Sequence, residues 1–455
     1  MPNLFCSIGS CLRELRRDEE GSILVLATLV IITSMGMIGL VLDGTRYFSL
    51  NNELQDLADA AAIAGAKELD TKADAITRAT DQATNLLSNS PHWAQVGSSG
   101  LQIASVTFAG PSSPDVATTD PKWARFIRVT TVSRGVIPTF VRAVGATNNN
   151  MTTATAVAQS TTVACKTQPM MLCNPLETPT TQPNFTATPG QMFHLKPKGA
   201  GSTTFAPGDF GLVDPPGYTS SGANAIRDLL SEQSPSVCYA NEVNPRTGHA
   251  TNKVQEGINI RFDHLPNGSA SGMDKTPAPN VIDAWKPEQP NCNKMVEIAG
   301  GVKLPRDPVL TPSGGVDIGN GPALADMDAY WQHHYAAAFP ADLRVAPVSR
   351  YSAYLRELGL NGTKPTKVAG TEPAGPQCST DVPVGDYKRR IISVSVVDCL
   401  YWNVHGNAVN HIWGDKYVNF FITEPSPDGS VFVEFIEVRP LGPGSGLHRI
   451  IQLVR

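Results

Sequence analysis

No charged residue occurs between Ile23 and Leu42, and no proline between Pro2 and Pro91. Charge is scarce throughout: Lys, Arg, Asp and Glu make up 17% of the 455 residues, against roughly 25% in average soluble chains. Basic residues do not predominate, since 36 Lys and Arg face 41 Asp and Glu for a net charge of −5. That balance excludes the basic footprint of a nucleic-acid-binding surface. No C-x-x-C pair, G-x-S-x-G elbow, H-E-x-x-H helix or phosphate-binding P-loop occurs, so the common short signatures of zinc, serine and nucleotide chemistry are missing. What the chain has in abundance is glycine (39) and proline (36). That mixture suits a loop-rich, β-rich domain outside the cytoplasm.

The uncharged run is twenty residues long, and at about 1.5 Å per residue it covers a hydrocarbon core of about 30 Å. A secretory signal has a shorter apolar region, about 7–15 residues, and a small-residue cleavage site. Here Asp43-Gly44-Thr45-Arg46 follows instead. The run reads as an uncleaved anchor, a transmembrane helix over residues 21–42. Arg13, Arg16 and Arg17 precede it and only Arg46 follows closely. The bias of basic residues toward the cytoplasmic side puts residues 1–20 in the cytoplasm and the bulk outside.

Beyond the span, Tyr47, Leu50, Leu54, Leu57, Ala61 and Ala64 recur at three- and four-residue spacing. This is one stripe of an amphipathic helix, with Ala58, Ala62, Gly65 and Ala66 beside it. Without an interrupting proline, one helix is expected to run to about Leu87. The stripe either packs on the protein's own following domain or receives a helix of another membrane protein. Gly36 and Gly39 within the span permit close contact without forming the four-residue glycine motif.

The stretch GSILVLATLVIITSMGMIGLVLDGTRYFSLNNELQDLADAAAIAGA resembles the N-terminal segment of TadG-like proteins of the tight-adherence (Flp) pilus assembly system. The resemblance rests on a small-residue start, an Asp with an Arg shortly after, and a Leu-Gln-(Asn/Asp)-Ala-Ala-Asp-Ala-Ala-Ala run. Asp43, Arg46, Leu54, Gln55, Asp56, Ala58, Asp59, Ala60, Ala61 and Ala62 match, with Leu57 where alanine is usual. Fainter similarity continues in TTATAVAQ, CNP, PGDFGLVD and the terminal QLVR. Two family-related features are absent. Prepilins carry a glutamate five residues into the processed helix, where counting from Gly21 gives Leu26, and many TadG-like chains end in a domain with an Asp-x-Ser-x-Ser metal site that this chain lacks.

The expected class is α+β: a single N-terminal transmembrane helix extended as a long amphipathic helix, then an antiparallel β-rich extracytoplasmic region. Residues 43–160 are expected to form a helix plus a small, pseudopilin-like sheet, from the strand patterns in LQIASVTFAG, ARFIRVTTVSRGV and TTATAVAQSTTVA. Residues 161–455 read as a loop-rich, mainly β domain with helices at 227–233, 325–339 and 351–358. RRIISVSVVDCLYWNV, KYVNFFITEP and SVFVEFIEVRP form its C-terminal sheet, turned at Ser426-Pro427-Asp428-Gly429, with HRIIQLVR as a last strand.

Cys6 and Cys11 precede the span; Cys165, Cys173, Cys238, Cys292, Cys378 and Cys399 follow it. An oxidising compartment permits disulfides among the last six, with 15 connectivities open. Pairing neighbours in order gives Cys165–Cys173, Cys238–Cys292 and Cys378–Cys399.

Candidate catalytic groups are sparse. His333 and His334 diverge by about 100° on a helix and do not chelate as an i, i+4 pair does; a helix surface is their expected place. Asp398, His405, His411 and Asp415 lie near a strand end without informative spacing. No catalytic residue, metal ligand or cofactor is therefore expected. The expected function is a membrane-anchored structural or assembly component of a tight-adherence, type IVb-like pilus system. It would work through non-covalent contacts with other assembly proteins or pseudopilins, and touch the lipid bilayer through residues 21–42. The alternatives are an anchored periplasmic envelope hydrolase and a surface adhesin or binding module.

Overall fold

A computed structural model describes residues 20–85, 102–140, 142, 150–181, 183–196, 209–218, 222–240, 242–248, 250–266, 273–288, 295–313, 316–371, 377–378, 384–404, 412–413, 416–441 and 445–454. The arginines at 13, 16 and 17, and Cys6, Cys11, Leu87, Cys292, His405, His411 and Asp415, lie outside them. The chain divides into two compact units, residues 1–161 with 450–455, and residues 162–449.

In the first unit, helix α1 (Glu20–Lys67) is continuous from the apolar run into the alanine-rich stretch. Its large apolar side chains from Ile23 to Leu42 are 43–70% exposed among the described residues. Threonine hydroxyls in the run bond back to the helix, Thr28 to the Val25 carbonyl at 2.8 Å and Thr33 to that of Leu29 at 2.9 Å. A span in lipid needs that satisfaction of polar groups within the segment. By length and composition α1 can cross a membrane.

The helix does not reach Leu87. It ends at Lys67, the chain reverses through Thr71 in the left-handed region (φ 69°), and α2 (Ala75–Asn85) follows. Arg78 fastens the reversal, pairing with Glu68, with Asp70 at 2.6 Å and with Asp74 at 3.0 Å. Small residues make the return possible: Ala62, Ala66, Ala79 and Ala83 are all buried in one cluster.

Strands β1 (Ile103–Ala109), β2 (Phe126–Thr131) and β5 (Thr155–Cys165) form an antiparallel sheet. β3 (Arg134–Val136) and β4 (Asn150–Thr152) form a separate hairpin between β2 and β5. Phe108, Ile127, Val129, Ala156 and Ala158 meet Leu50, Leu54, Ala58 and Ala61 of α1 in one core.

In the second unit, a seven-stranded sheet carries the fold. Its strands are β6 (Met171–Cys173), β7 (Met192–Lys196), β8 (Thr311–Ser313), β9 (Val316–Ile318), β10 (Ile391–Val397), β11 (Lys416–Ile422) and β12 (Val431–Val438). The order is β8-β9-β7-β12-β11-β10-β6, antiparallel except between β10 and β6. Adjacent residues of β11 face opposite cores. Phe420 joins Ile226, Leu229, Val254 and Ile258 of α3 (Gly222–Ser231) and α4 (Thr251–Asn259). Phe421 joins Met327, Tyr330, Trp331 and Tyr354 of α5 (Leu324–Tyr335) and α6 (Arg350–Leu358). Helices on both faces explain why β10 and β11 are apolar nearly throughout rather than alternating.

The expected turn is present between β11 and β12, with Gly429 at φ +85° and the Asp428 carboxylate accepting from the Ser430 amide. The last strand, β13 (Leu447–Val454), does not extend that sheet; it joins β5.

The neighbour-in-order disulfides are not formed. Cys165 bonds Cys238, with Cα atoms 3.9 Å apart, because the two stand opposite each other where β5 pairs with the short strand Cys238–Tyr239. Cys173 bonds Cys399 at a Cα separation of 5.3 Å, because β6 lies parallel to β10 with Cys173 opposite Val397. These bonds exclude Cys165–Cys173, Cys238–Cys292 and Cys378–Cys399. Cys378 is itself disulfide-bonded.

Candidate functional site

Asp43 and Arg46 lie together where α1 leaves its apolar run. Asp43 is buried, and its carboxylate accepts two backbone hydrogen bonds, from Thr139 at 3.0 Å and Phe140 at 2.8 Å. Arg46, one turn on, donates to the Thr139 hydroxyl at 3.0 Å. Further along, the Asn51 side-chain oxygen accepts from the Thr152 hydroxyl at 3.0 Å. The β3–β4 hairpin is thus pinned along α1 at both ends, and Asp43 and Arg46 close the end nearest the apolar run. Two amides on one carboxylate form the charge-assisted type of bond, stronger than a neutral pair. Gln55 and Asp59 bond each other at 2.8 Å on the helix surface.

The stripe expected as a seam is largely filled from within. Leu50, Leu54 and Ala61 are fully buried and Leu57 nearly so, while Tyr47 and Ala64 keep partial exposure. The buried part of the stripe packs on the protein's own sheet. Gly65 shows how close the packing is: a Cβ there would stand 2.3 Å from Ile127 Cδ1 and 3.0 Å from the Ala79 carbonyl. The exposed face of α1 is a different row, Phe48, Asn52 and Asp56 at four-residue spacing, with Phe48 67% exposed.

The second unit holds buried ionisable groups. His334 is buried on α5, not on a helix surface; it donates from Nε2 to the Val302 carbonyl at 2.6 Å, and burial pushes its pKa down to about 4. Glu357 accepts from the Tyr330 hydroxyl at 2.6 Å and from Asn280 at 2.7 Å. Burial raises its pKa to about 7 against those bonds. Glu177 is likewise raised to about 7, first by burial and then by the charge of Asp398. Asp398 accepts from the Asn174 amide at 2.8 Å beside the Cys173–Cys399 bridge. Among the described residues no group of three or more His, Cys, Asp or Glu side chains is arranged to hold a metal.

One cavity of this unit, about 670 Å³, has a mixed wall that sequence reading missed. Asp283 organises part of it, accepting from His264 Nε2 at 2.9 Å and from the Trp285 backbone amide at 2.9 Å. Trp285 is 38% exposed on the wall. Opposite charges meet where Lys303 and Arg306 both pair with buried Glu424. Helix α4 supplies Asn252, Gln255 and Asn259. The lining is gathered from α4 and from segments far apart in sequence, so no single spacing announces it.

An anchor-length apolar helix runs on into the core of a small α+β unit, an arrangement consistent with membrane association. Residues 21–68 match the family described as putative Flp pilus-assembly TadE/G-like. No curated protein and no solved structure matches the chain at a significant level. The matched segment holds the Asp43 and Arg46 clamp, the buried stripe and Gly65, and supports a role related to Flp pilus assembly.

Proposed function

We propose that the protein is an inner-membrane-anchored, outward-facing assembly component of a tight-adherence pilus system that acts by non-covalent contacts and not by catalysis. α1 holds the chain in the bilayer, and the first unit is built directly on its outward half. The disulfide-bonded second unit presents further surface. The observation that carries this reading is the continuity of α1 from bare apolar run to buried core stripe. Because Leu50, Leu54 and Ala61 are covered, the face left for pilus proteins is Phe48, Asn52 and Asp56. The test is photocrosslinking in intact piliated cells. A crosslinker at Phe48 or Asn52 captures another pilus-assembly protein and one at Leu54 captures none; capture from Leu54 alone, or from neither face, contradicts the proposal.

A second reading, a binding module carried on the same anchor, is favoured by the Trp285 cavity. An exposed indole face beside amides and acids is the chemistry that stacks on and hydrogen-bonds a sugar ring. Calorimetric titration of the full-length protein in micelles with neutral hexoses and N-acetylhexosamines tests it. Binding lost in Trp285→Ala supports the reading, and absence of heat with every sugar removes it.

A further inference from the structure

Among the described residues from Ile23 to Leu42, Gly39 is the one buried position. What covers it is Phe140: a Cβ built on Gly39 would lie 2.4 Å from Phe140 Cβ and 3.0 Å from its ring. Gly39 is three residues inside the end of the uncharged run, about 4.5 Å along the helix axis. Phe140 itself is 44% exposed, so its ring is only partly spent on the glycine. The backbone of that turn is fastened by Asp43 and Arg46, and the hairpin behind it by Asn51 and Thr152. The hairpin therefore follows α1 from Asn51 to Gly39, roughly 18 Å at 1.5 Å per residue.

We propose that Phe140 is a membrane wedge: the turn held by Asp43 reaches past the end of the span and sets the Phe140 ring into the outer edge of the lipid acyl region. The inference rests on the reading of residues 21–42 as the span. The occupant of the exposed Phe140 face is lipid, because Phe140 sits against the apolar run at Gly39, about one helical turn from the bare side chains of Met35 and Leu42. Aromatic side chains are enriched at this level of a bilayer, where an apolar ring meets polar headgroups. The charges fit as well. Arg142 is exposed two residues from the wedge, and Arg46 lies beside Thr139, both suited to lipid phosphate. The acid at this level, Asp43, is buried and bonded to two amides, so its carboxylate is shielded from the headgroups. Gly39 acquires a reason: a side chain there would lift the wedge off the helix. The arrangement gives the first unit two attachments to the membrane surface, the span and the wedge.

The experiment is spin-label depth measurement on the full-length protein in phosphatidylcholine–phosphatidylglycerol liposomes. Cys6→Ser and Cys11→Ser remove the two cysteines before the span. A nitroxide is then placed at Phe140→Cys, with Ile31→Cys as an in-span control and Val116→Cys as an aqueous control. Relaxation by oxygen exceeding relaxation by a water-soluble nickel chelate marks lipid. The expected pattern is lipid at 31 and 140, and water at 116. Adding Gly39→Val moves the label at 140 toward water without moving the one at 31. Water at 140 with lipid at 31 overturns the wedge alone and turns its exposed ring into a protein-contact candidate. Water at both positions overturns the span and the wedge together. An unchanged depth at 140 in Gly39→Val shows that Phe140 is not seated on the glycine, and overturns the geometry.

Discussion

The carboxylate of Asp43 accepts the backbone amide of Thr139 at 3.0 Å across 96 residues of sequence. The bond joins the first residue after the apolar run to the far end of the β3–β4 hairpin. With the Phe140 amide at 2.8 Å, it makes Asp43 a structural clamp. Replacing it with alanine removes both bonds, and a hydrogen bond to a charged group is worth about 1.5–3 kcal/mol. We expect Asp43→Ala to destabilise the first unit by about 1–3 kcal/mol, because the released amides regain some water. Asp43→Asn, which keeps one acceptor, should cost less. Thermal unfolding of the full-length protein in micelles reads this, and equal stability of all three proteins contradicts it.

Ala61 and Ala64 separate the two uses of the stripe. Ala61 has no exposure, whereas Ala64 is partly open. Ala61→Glu buries an unpaired carboxylate and should unfold the first unit while insertion persists. Ala64→Glu should be tolerated far better. Limited proteolysis of membranes carrying each variant checks the order; equal resistance of the two would show that the sheet does not cover Ala61.

The bridges should be recovered chemically. Non-reducing peptide mapping should yield Cys165–Cys238 and Cys173–Cys399. The second closes 226 residues; in the chain-entropy model such large loops are worth about 5 kcal/mol. Cys173→Ala with Cys399→Ala should therefore lower stability more than any surface change. A recovered Cys165–Cys173 peptide would contradict the fold of β6.

Glu357 and His334 give opposite pH dependences. The folded pKa of Glu357 is raised from 4.5 to about 7, so the folded state binds the proton more tightly. Its contribution is full below about 4.5 and is lost as pH rises to about 7. His334 is lowered from 6.5 to about 4, so its contribution grows as pH rises from about 4 to 6.5. Glu357→Gln removes the first effect only. Relative to the parent, the variant should gain stability steadily between pH 4.5 and 7, read by urea unfolding at several pH values. A difference independent of pH would contradict the shift in Glu357.

The helix through the anchor and the alanine stripe was legible, because apolar continuity and 3.6-residue spacing are local properties. So were the β11–β12 turn and helices α3, α5 and α6. The reversal after Lys67 was not, since it depends on Arg78 gathering Glu68, Asp70 and Asp74, and no proline marks it. The disulfides were illegible because pairing follows strand order: β6 beside β10 brings Cys173 to Cys399, while sequence proximity favours Cys165. The burial of His334 is not legible in the sequence, because its partner, the Val302 carbonyl, comes from a loop. The Asp43 and Arg46 pattern was visible in the sequence, and only its target, the turn at Thr139, needed the fold.

The central claim is that α1 spans the membrane and leaves both units outside. Alkaline phosphatase, which must form disulfides to be active, should be active when fused after residue 161 of the full anchor, and a fluorescent protein that folds only in the cytoplasm should be dark there. A dark phosphatase and a bright fluorescent protein at that junction would contradict the account, since both units and their disulfides would then lie in the reducing cytoplasm.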